Sequence, residues 1–302
     1  MSFLLKLLAV GLLSAGTITA APTTINVEER DTGTAISQDL YDRFVLFSQF
    51  AAATFCDHNV NSTGDKLTCD TGNCPLVESS NTKTLVEFSD GGLTDATGYV
   101  ATDATRKLIV VAFRGSISVN NWLSDTIVLP MSIDLCDGCK AFTGAWLFYK
   151  EVREKIVDAV TAAKTANPDY RIIITGHSIG AGITGFASAE FRKKGWGTDM
   201  YAYGPPRVGN SALANYINTH LPENSLNHAI NHADFFFNLP PLYSNVYPEY
   251  YIDTPGSQGD VKITDIKKYD NGSGHLDVLP DNIVGHVYYF QKIRQCKQGI
   301  PF

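Results

Sequence analysis

The chain has 302 residues, of which 44 % are hydrophobic and 18 % charged, and its formal net charge is −7. That balance supplies a sizeable core and excludes a disordered polymer. The acidic charge argues against nucleic acid or an anionic membrane surface as partner.

Residues 1–20 read as a secretory signal: Lys6 is the basic start, Leu7 to Leu13 the short apolar core, and Thr19-Ala20-Ala21 a small-residue cleavage zone. The apolar stretch is too short to span a bilayer, and no later segment is long enough either, so an exported protein without a transmembrane segment is expected. Residues 21–30, ending in Glu29-Arg30, read as a pro-segment, and residues 31–302 as a single domain working as a monomer. Ser37 caps a predicted amphipathic helix with Leu40, Phe44, Phe47, Ala51 and Phe55 on its apolar face. Strand-like runs follow at 84–88, 98–101 and 107–113. A helix is predicted over 145–166, where Asn167-Pro168 stops it. A strand over 171–175, a helix behind it, a strand over 200–203, a helix over 211–220 and a strand over 225–230 continue the alternation. Strands over 248–254 and 260–266 and a final helix over 286–295 complete it. Such alternation predicts an α/β fold: a mostly parallel central sheet with helices on both faces.

Gly176-His177-Ser178-Ile179-Gly180 follows the apolar run Arg171-Ile172-Ile173-Ile174-Thr175 directly and precedes a helical stretch. This is the G-x-S-x-G nucleophile elbow in the context it requires, a strand delivering a serine to a sharp turn with a helix behind. A serine hydroxyl needs a histidine to take its proton and a carboxylate to orient that histidine. In hydrolases of this kind the chain order is serine, acid, histidine, which excludes His58 and His177 as the base. His220 ends a helix, where it complements the dipole. His228 and His232 precede the best acid, and His275 sits in a polar, sequon-bearing loop. His286, at the start of an apolar segment, is left as the base. Asp234 follows a strand and precedes an apolar run, which places it at the strand's carboxyl end; Asp253, Asp265 and Asp277 read as solvated loop residues.

The six cysteines form an even set, which in an exported chain permits disulfides. Cys69 and Cys74 flank a turn. Cys136-Asp137-Gly138-Cys139 would be a redox or zinc half-site in the cytosol, but with no second C-x-x-C in a secreted chain it reads as a loop staple. Cys56 and Cys296 remain. Asn61 and Asn271 head glycosylation sequons.

These residues carry a resemblance. Gly176 to Ala181, Tyr203-Gly204-Pro205-Pro206-Arg207-Val208-Gly209-Asn210, Ala112-Phe113-Arg114-Gly115-Ser116, and Asp234 with Leu239-Pro240-Pro241 resemble the filamentous-fungal triacylglycerol lipases, the class 3 lipases, from about residue 36 to 297. The resemblance implies an α/β-hydrolase fold and a triad of Ser178, Asp234 and His286 that needs no metal or cofactor. It implies an oxyanion hole from Ser116 (backbone N–H and hydroxyl) and the Ile179 N–H. It also implies disulfides Cys56–Cys296, Cys69–Cys74 and Cys136–Cys139. The chain departs from the family pattern in carrying Asn231 and Ala233 just before the acid, where His and Asn are usual. It also has Phe236-Phe237 where Val-Pro is usual, which implies a bulkier acyl-pocket wall at Phe236, with Leu239 beyond it.

Between Ser116 and Cys136, the residues Val119, Trp122, Leu123, Thr126 and Ile127 share one helical face, opposite Asn120, Asn121, Ser124 and Asp125. Directly after the oxyanion residue, such a helix reads as a lid whose apolar face covers the site in water and turns to lipid at an interface. The expected function is hydrolysis of acylglycerol esters at a lipid–water interface. A feruloyl-type esterase would have a polar lid, against Trp122, Leu123 and Ile127. A phospholipase or a mono- and diacylglycerol lipase differs only in pocket shape. A non-catalytic binding protein on this scaffold would have lost a triad member.

Overall fold

The run Leu108–Phe113 is buried at every position. Ile109, Val111 and Phe113 lie in one apolar cluster and Val110 and Ala112 in another. Side chains of a strand alternate between faces, so this sheet is covered on both sides. The computed structural model describes residues 32–60, 62–89, 94–117, 129–232, 234, 236–253, 260–270 and 285–297. The compact unit to which they belong spans Asp31–Phe302; residues 1–30, including the expected signal and pro-segment, lie outside the described residues.

In chain order the first elements are β1 (Thr34–Ala35), α1 (Gln38–Ala53), α2 (Pro75–Glu78), β2 (Thr82–Phe88), β3 (Gly98–Asp103) and β4 (Leu108–Phe113). Then come β5 (Pro130–Ser132), β6 (Lys140–Phe142), α3 (Thr143–Ala166), β7 (Arg171–His177), α4 (Ile179–Lys193) and β8 (Thr198–Tyr203). The last are α5 (Ser211–His220), β9 (Leu226–Asn231), β10 (Glu249–Ile252) and β11 (Ile266–Tyr269). Among the described residues, nine strands form one sheet in the order β1-β11-β10-β9-β8-β7-β4-β3-β2, and β5 pairs with β6 apart from it. The central strands β4, β7, β8, β9 and β10 run parallel. The outer pairs at both edges are antiparallel.

Each face has its own helices. On one side, α3, α4 and α5 contribute Trp146, Tyr149, Ile183, Phe186, Leu213 and Ile217. On the other, α1 contributes Phe44, Phe47 and Phe50, which pack with Tyr99, Tyr201 and Tyr203. Each such ring contributes about 1.5–3 kcal/mol of burial. Three sheet hydroxyls fix α1 in register: Tyr203 donates to the Phe44 carbonyl at 2.6 Å, Thr175 to Phe47 at 3.2 Å and Tyr99 to Phe50 at 2.7 Å. The Ser37 side chain accepts from Leu40 N–H at 3.2 Å and starts the helix. The structure joins Cys56 to Cys296, Cys69 to Cys74 and Cys136 to Cys139.

Two predicted elements differ. The strand expected over 260–266 is a single 3-10 turn, Ile263–Asp265, with β11 beginning only at Ile266. The Asp265 carboxylate accepts Lys262 N–H at 2.8 Å while Asp265 N–H returns to the Lys262 carbonyl at 3.0 Å, so local bonds satisfy the backbone that a ladder would have used. The final helix expected over 286–295 is a turn at Gly285–Val287, a chain reversal through Phe290 at φ 61°, and a second turn at Gln295–Lys297. A ten-residue helix would travel about 15 Å in a straight line. Here Ile293 N–H returns to the Val287 carbonyl at 3.0 Å, because Cys296 must reach Cys56. Trp122, Leu123 and Ile127, and the sequon residues Asn61 and Asn271, lie outside the described residues. Among the described residues, no helix is long and apolar enough to cross a membrane.

Candidate active site

β7 ends at His177 and α4 begins at Ile179, leaving Ser178 alone in the turn at φ 58° and ψ −130°. A non-glycine residue at positive φ stores backbone strain, and here the turn lifts one side chain off the carboxyl end of the sheet. Strand and helix converge so closely that a Cβ on Gly176 would stand 2.6 Å from the Gly180 carbonyl carbon. The first N–H groups of α4 have no intrahelical acceptor and point toward the same space, with the positive end of the helix dipole.

Ser178 Oγ lies 2.8 Å from His286 Nε2, and His286 Nδ1 lies 2.9 Å from Asp234 Oδ2. Asp234 cannot donate as a carboxylate, so Nδ1 carries the proton, Nε2 is the acceptor, and the serine hydroxyl donates to it. All three residues are buried. The carboxylate is held by more than the imidazole: Tyr289 OH donates to Oδ2 at 2.5 Å and Phe236 N–H to Oδ1 at 2.9 Å. Burial pushes the Asp234 carboxyl pKa up, but His286, Tyr289 and the Phe236 N–H together outweigh it and leave it below the ordinary value. The Tyr289 hydroxyl is driven well above its usual pKa by burial and by Asp234, so it stays protonated and donates.

Two rings pack against the imidazole of His286. The Phe236 ring stands 4.2 Å away and the His177 ring 4.8 Å away, centroid to centroid. Burial first, then the neighbouring His286, hold His177 well below the usual histidine pKa. It is therefore neutral, and its Nε2–H donates to the His286 carbonyl at 2.5 Å. The assembly can take a proton from a serine, stabilise the resulting imidazolium and return the proton to a leaving group.

The profile of the family described as Lipase (class 3) matches residues 110–244, and that of the Lipase 3 N-terminal region matches residues 7–85. The chain is 36 % identical over 275 residues to secreted mono- and diacylglycerol lipase A of Penicillium camembertii, covering 88 % of this chain and 90 % of that one. It is 35 % identical over 309 residues to secreted mono- and diacylglycerol lipase 1 of Fusarium solani, covering 98 % and 90 %. The chain belongs to the class 3 lipase family. Its fold is similar to the crystal structure of a mono- and diacylglycerol lipase from Aspergillus oryzae, with a TM-score of 0.79 and 37 % identity over 86 % of this chain and 100 % of that one. The fold is that of the α/β-hydrolases, and the enzyme is a carboxylic ester hydrolase.

Within this lipase the structure brings Ser178, Asp234, His286 and Phe236 into contact. Ile179 is the first residue of α4, and Ser116 lies half-buried on the loop after β4. The Leu239 carbonyl accepts Arg207 N–H at 2.8 Å. Of the competing acids, Asp253 is 66 % exposed and faces His232 at 3.3 Å, and Asp265 closes the turn at Lys262. Asp277 and His275 lie outside the described residues. Sequence reasoning missed Tyr289 and Asn231. Asn231 N–H donates to the Tyr289 hydroxyl at 3.1 Å and its side chain to the Tyr288 carbonyl at 2.8 Å, so it steadies the tyrosine that holds Asp234. A signal was present: Tyr289 lies three residues after the candidate base, one helical turn in a segment read only as apolar.

Proposed function

We propose that this enzyme is a secreted acylglycerol lipase working through an acyl-enzyme on Ser178, with His286 as base and Asp234 as its orienting acid. The observation that carries the reading is the continuous line of hydrogen bonds from Ser178 Oγ through both nitrogens of His286 to Asp234. Ser178 Oγ attacks the ester carbonyl as its proton passes to His286 Nε2. The N–H groups of Ile179 and Ser116, with the Ser116 hydroxyl, hold the oxyanion. The imidazolium gives its proton to the departing glycerol oxygen. Water then attacks the acyl-enzyme with His286 again as base, and the fatty acid leaves. Phe236 and Leu239 form part of the acyl-pocket wall. Export follows from the signal read over residues 1–20, a pro-segment over 21–30, and three disulfides.

The names of the relatives favour mono- and diacylglycerols over triacylglycerol as substrates. The test is the initial rate of fatty-acid release from emulsified mono-, di- and triacylglycerol of one acyl chain. Partial glycerides should react about tenfold faster, the ratio that about 1.4 kcal/mol of transition-state preference gives. Equal rates would remove that preference. Turnover of soluble aromatic esters alone would make the protein an esterase of another class.

The segment around Trp122, Leu123 and Ile127 is proposed as the lid on its sequence alone. Trp122→Ala removes up to about 2–3 kcal/mol of burial from each of the closed and interface-bound states, and only the difference between the two losses shifts the opening equilibrium. A lipid surface receives the whole indole, so the interface-bound state loses more. Activity on emulsified long-chain triglyceride should therefore fall far more than activity on a dissolved short-chain ester. Equal losses on the two would point to a packing defect instead.

A further inference from the structure

Arg294 lies eight residues after His286, and its guanidinium reaches the loop that carries Ser116. The side chain is only 6 % exposed, and one Nη donates to the carbonyl of Ile117. Ile117 directly follows Ser116. Gly115, on the other side of Ser116, passes so close to the elbow that a Cβ there would stand 2.8 Å from Ser178 Cβ and 2.8 Å from the His177 carbonyl oxygen. Ser116 is thus a single residue between two fixed points, packed against the elbow before it and hydrogen-bonded to a buried cation after it. A charge-assisted bond to a carbonyl is stronger and more directional than one between neutral groups.

We infer that Arg294 is a positioning residue for the oxyanion hole, aiming the Ser116 N–H and hydroxyl by fixing the peptide carbonyl one residue further on. The inference rests on the reading of Ser116 as an oxyanion donor. Arg294 can serve as such a reference because its own base is rigid. Ile293 before it is fully buried against the α1 side of the sheet. The Arg294 carbonyl accepts Lys297 N–H at 2.9 Å, and Cys296 is tied to Cys56. The same short segment begins with His286, so the base and the oxyanion loop are referenced to one piece of chain. Preorganised donors stabilise a transition state only when they already point to where the charge will develop, and misplacement by about 1 Å costs up to about a hundredfold in rate. Burying a guanidinium opposes folding. A neutral donor could hold a carbonyl at lower cost, so the choice of a rigid, multi-donor cation here fits a demand for direction.

The test compares the parent enzyme, Arg294→Met, Ser116→Ala and the double variant on dissolved p-nitrophenyl butyrate. It is paired with inhibition by butylboronic acid, whose tetrahedral adduct on Ser178 places an oxygen in the oxyanion hole. Arg294→Met should lower kcat about tenfold with KM within about twofold, and weaken the boronic acid by about the same factor as kcat. In the double variant the two losses should be less than multiplicative, because both act on the Ser116 hydroxyl. A folded Arg294→Met with full kcat and full boronic-acid affinity overturns the inference. So does a kcat loss with unchanged boronic-acid affinity, or fully multiplicative losses. If Arg294→Met does not fold, Arg294→Gln, polar but too short to reach Ile117, takes its place with the same expected and overturning results. Full activity in Ser116→Ala would instead remove the Ser116 hydroxyl from the oxyanion reading, a result distinct from a harmless Arg294→Met beside an impaired Ser116→Ala.

Discussion

Alanine at position 178 should abolish ester hydrolysis, with a loss in kcat on the order of a millionfold, while the protein keeps its fold. Ser178 Oγ is the atom that His286 Nε2 faces at 2.8 Å, so without it the base has nothing to deprotonate at the reacting carbon. The structure leaves Ser178 only 3 % exposed. Removing it therefore strands a buried imidazole nitrogen, a penalty of about 1–3 kcal/mol that the fold survives with a lowered melting point. Hydrolysis of p-nitrophenyl butyrate and thermal unfolding by circular dichroism measure the two effects. An organophosphate should attach to Ser178 in the parent enzyme, located by peptide mass spectrometry. A fully active parent labelled at another serine would end the elbow reading.

The second large effect is expected from Asp234→Asn, a loss in kcat of about ten-thousandfold. The carboxylate receives three donors: His286 Nδ1–H and Tyr289 OH on Oδ2, and Phe236 N–H on Oδ1. A carboxylate accepts all three, and an amide cannot, because one of its two ends is itself a donor. With the amide nitrogen toward Phe236, two N–H groups oppose each other in a buried site. With it toward His286, the imidazole is driven into the tautomer that protonates Nε2, and Nε2 then cannot accept the serine proton. His286→Ala should lower the rate by several orders of magnitude, and His275→Ala should leave it little changed. A full kcat in Asp234→Asn, or a lethal His275→Ala, would reassign the acid or the base.

The legible parts of this molecule are those in which local sequence and final structure obey the same constraint. The run Ile172-Ile173-Ile174 reads as a buried strand because both faces of the sheet are covered, and it is one. Ser37 reads as a cap because its side chain can reach a free N–H three residues on, and it does. The helix over 145–166 keeps its spacing because one side packs on the sheet throughout. Of the two misread segments, the one over 260–266 is decided by local bonds at Lys262 and Asp265, and the one after His286 by distant ties. The apolar run after His286 has helical character, but His286 must meet Ser178, Tyr289 must meet Asp234 and Cys296 must meet Cys56, and no straight helix satisfies all three.

By itself the sequence determined the alternation of strands and helices and the sharp strand-to-helix turn at Ser178, because each depends on neighbours within a turn or a strand. Only the tertiary structure decided that Tyr289 and Asn231 would support Asp234, that His177 and Phe236 would pack against the imidazole, and that Arg294 would grip the loop of Ser116. Those contacts join residues from Ile117 to Arg294 across a sheet whose strand order is not the chain order, and no local pattern records which loops a crossover will bring together.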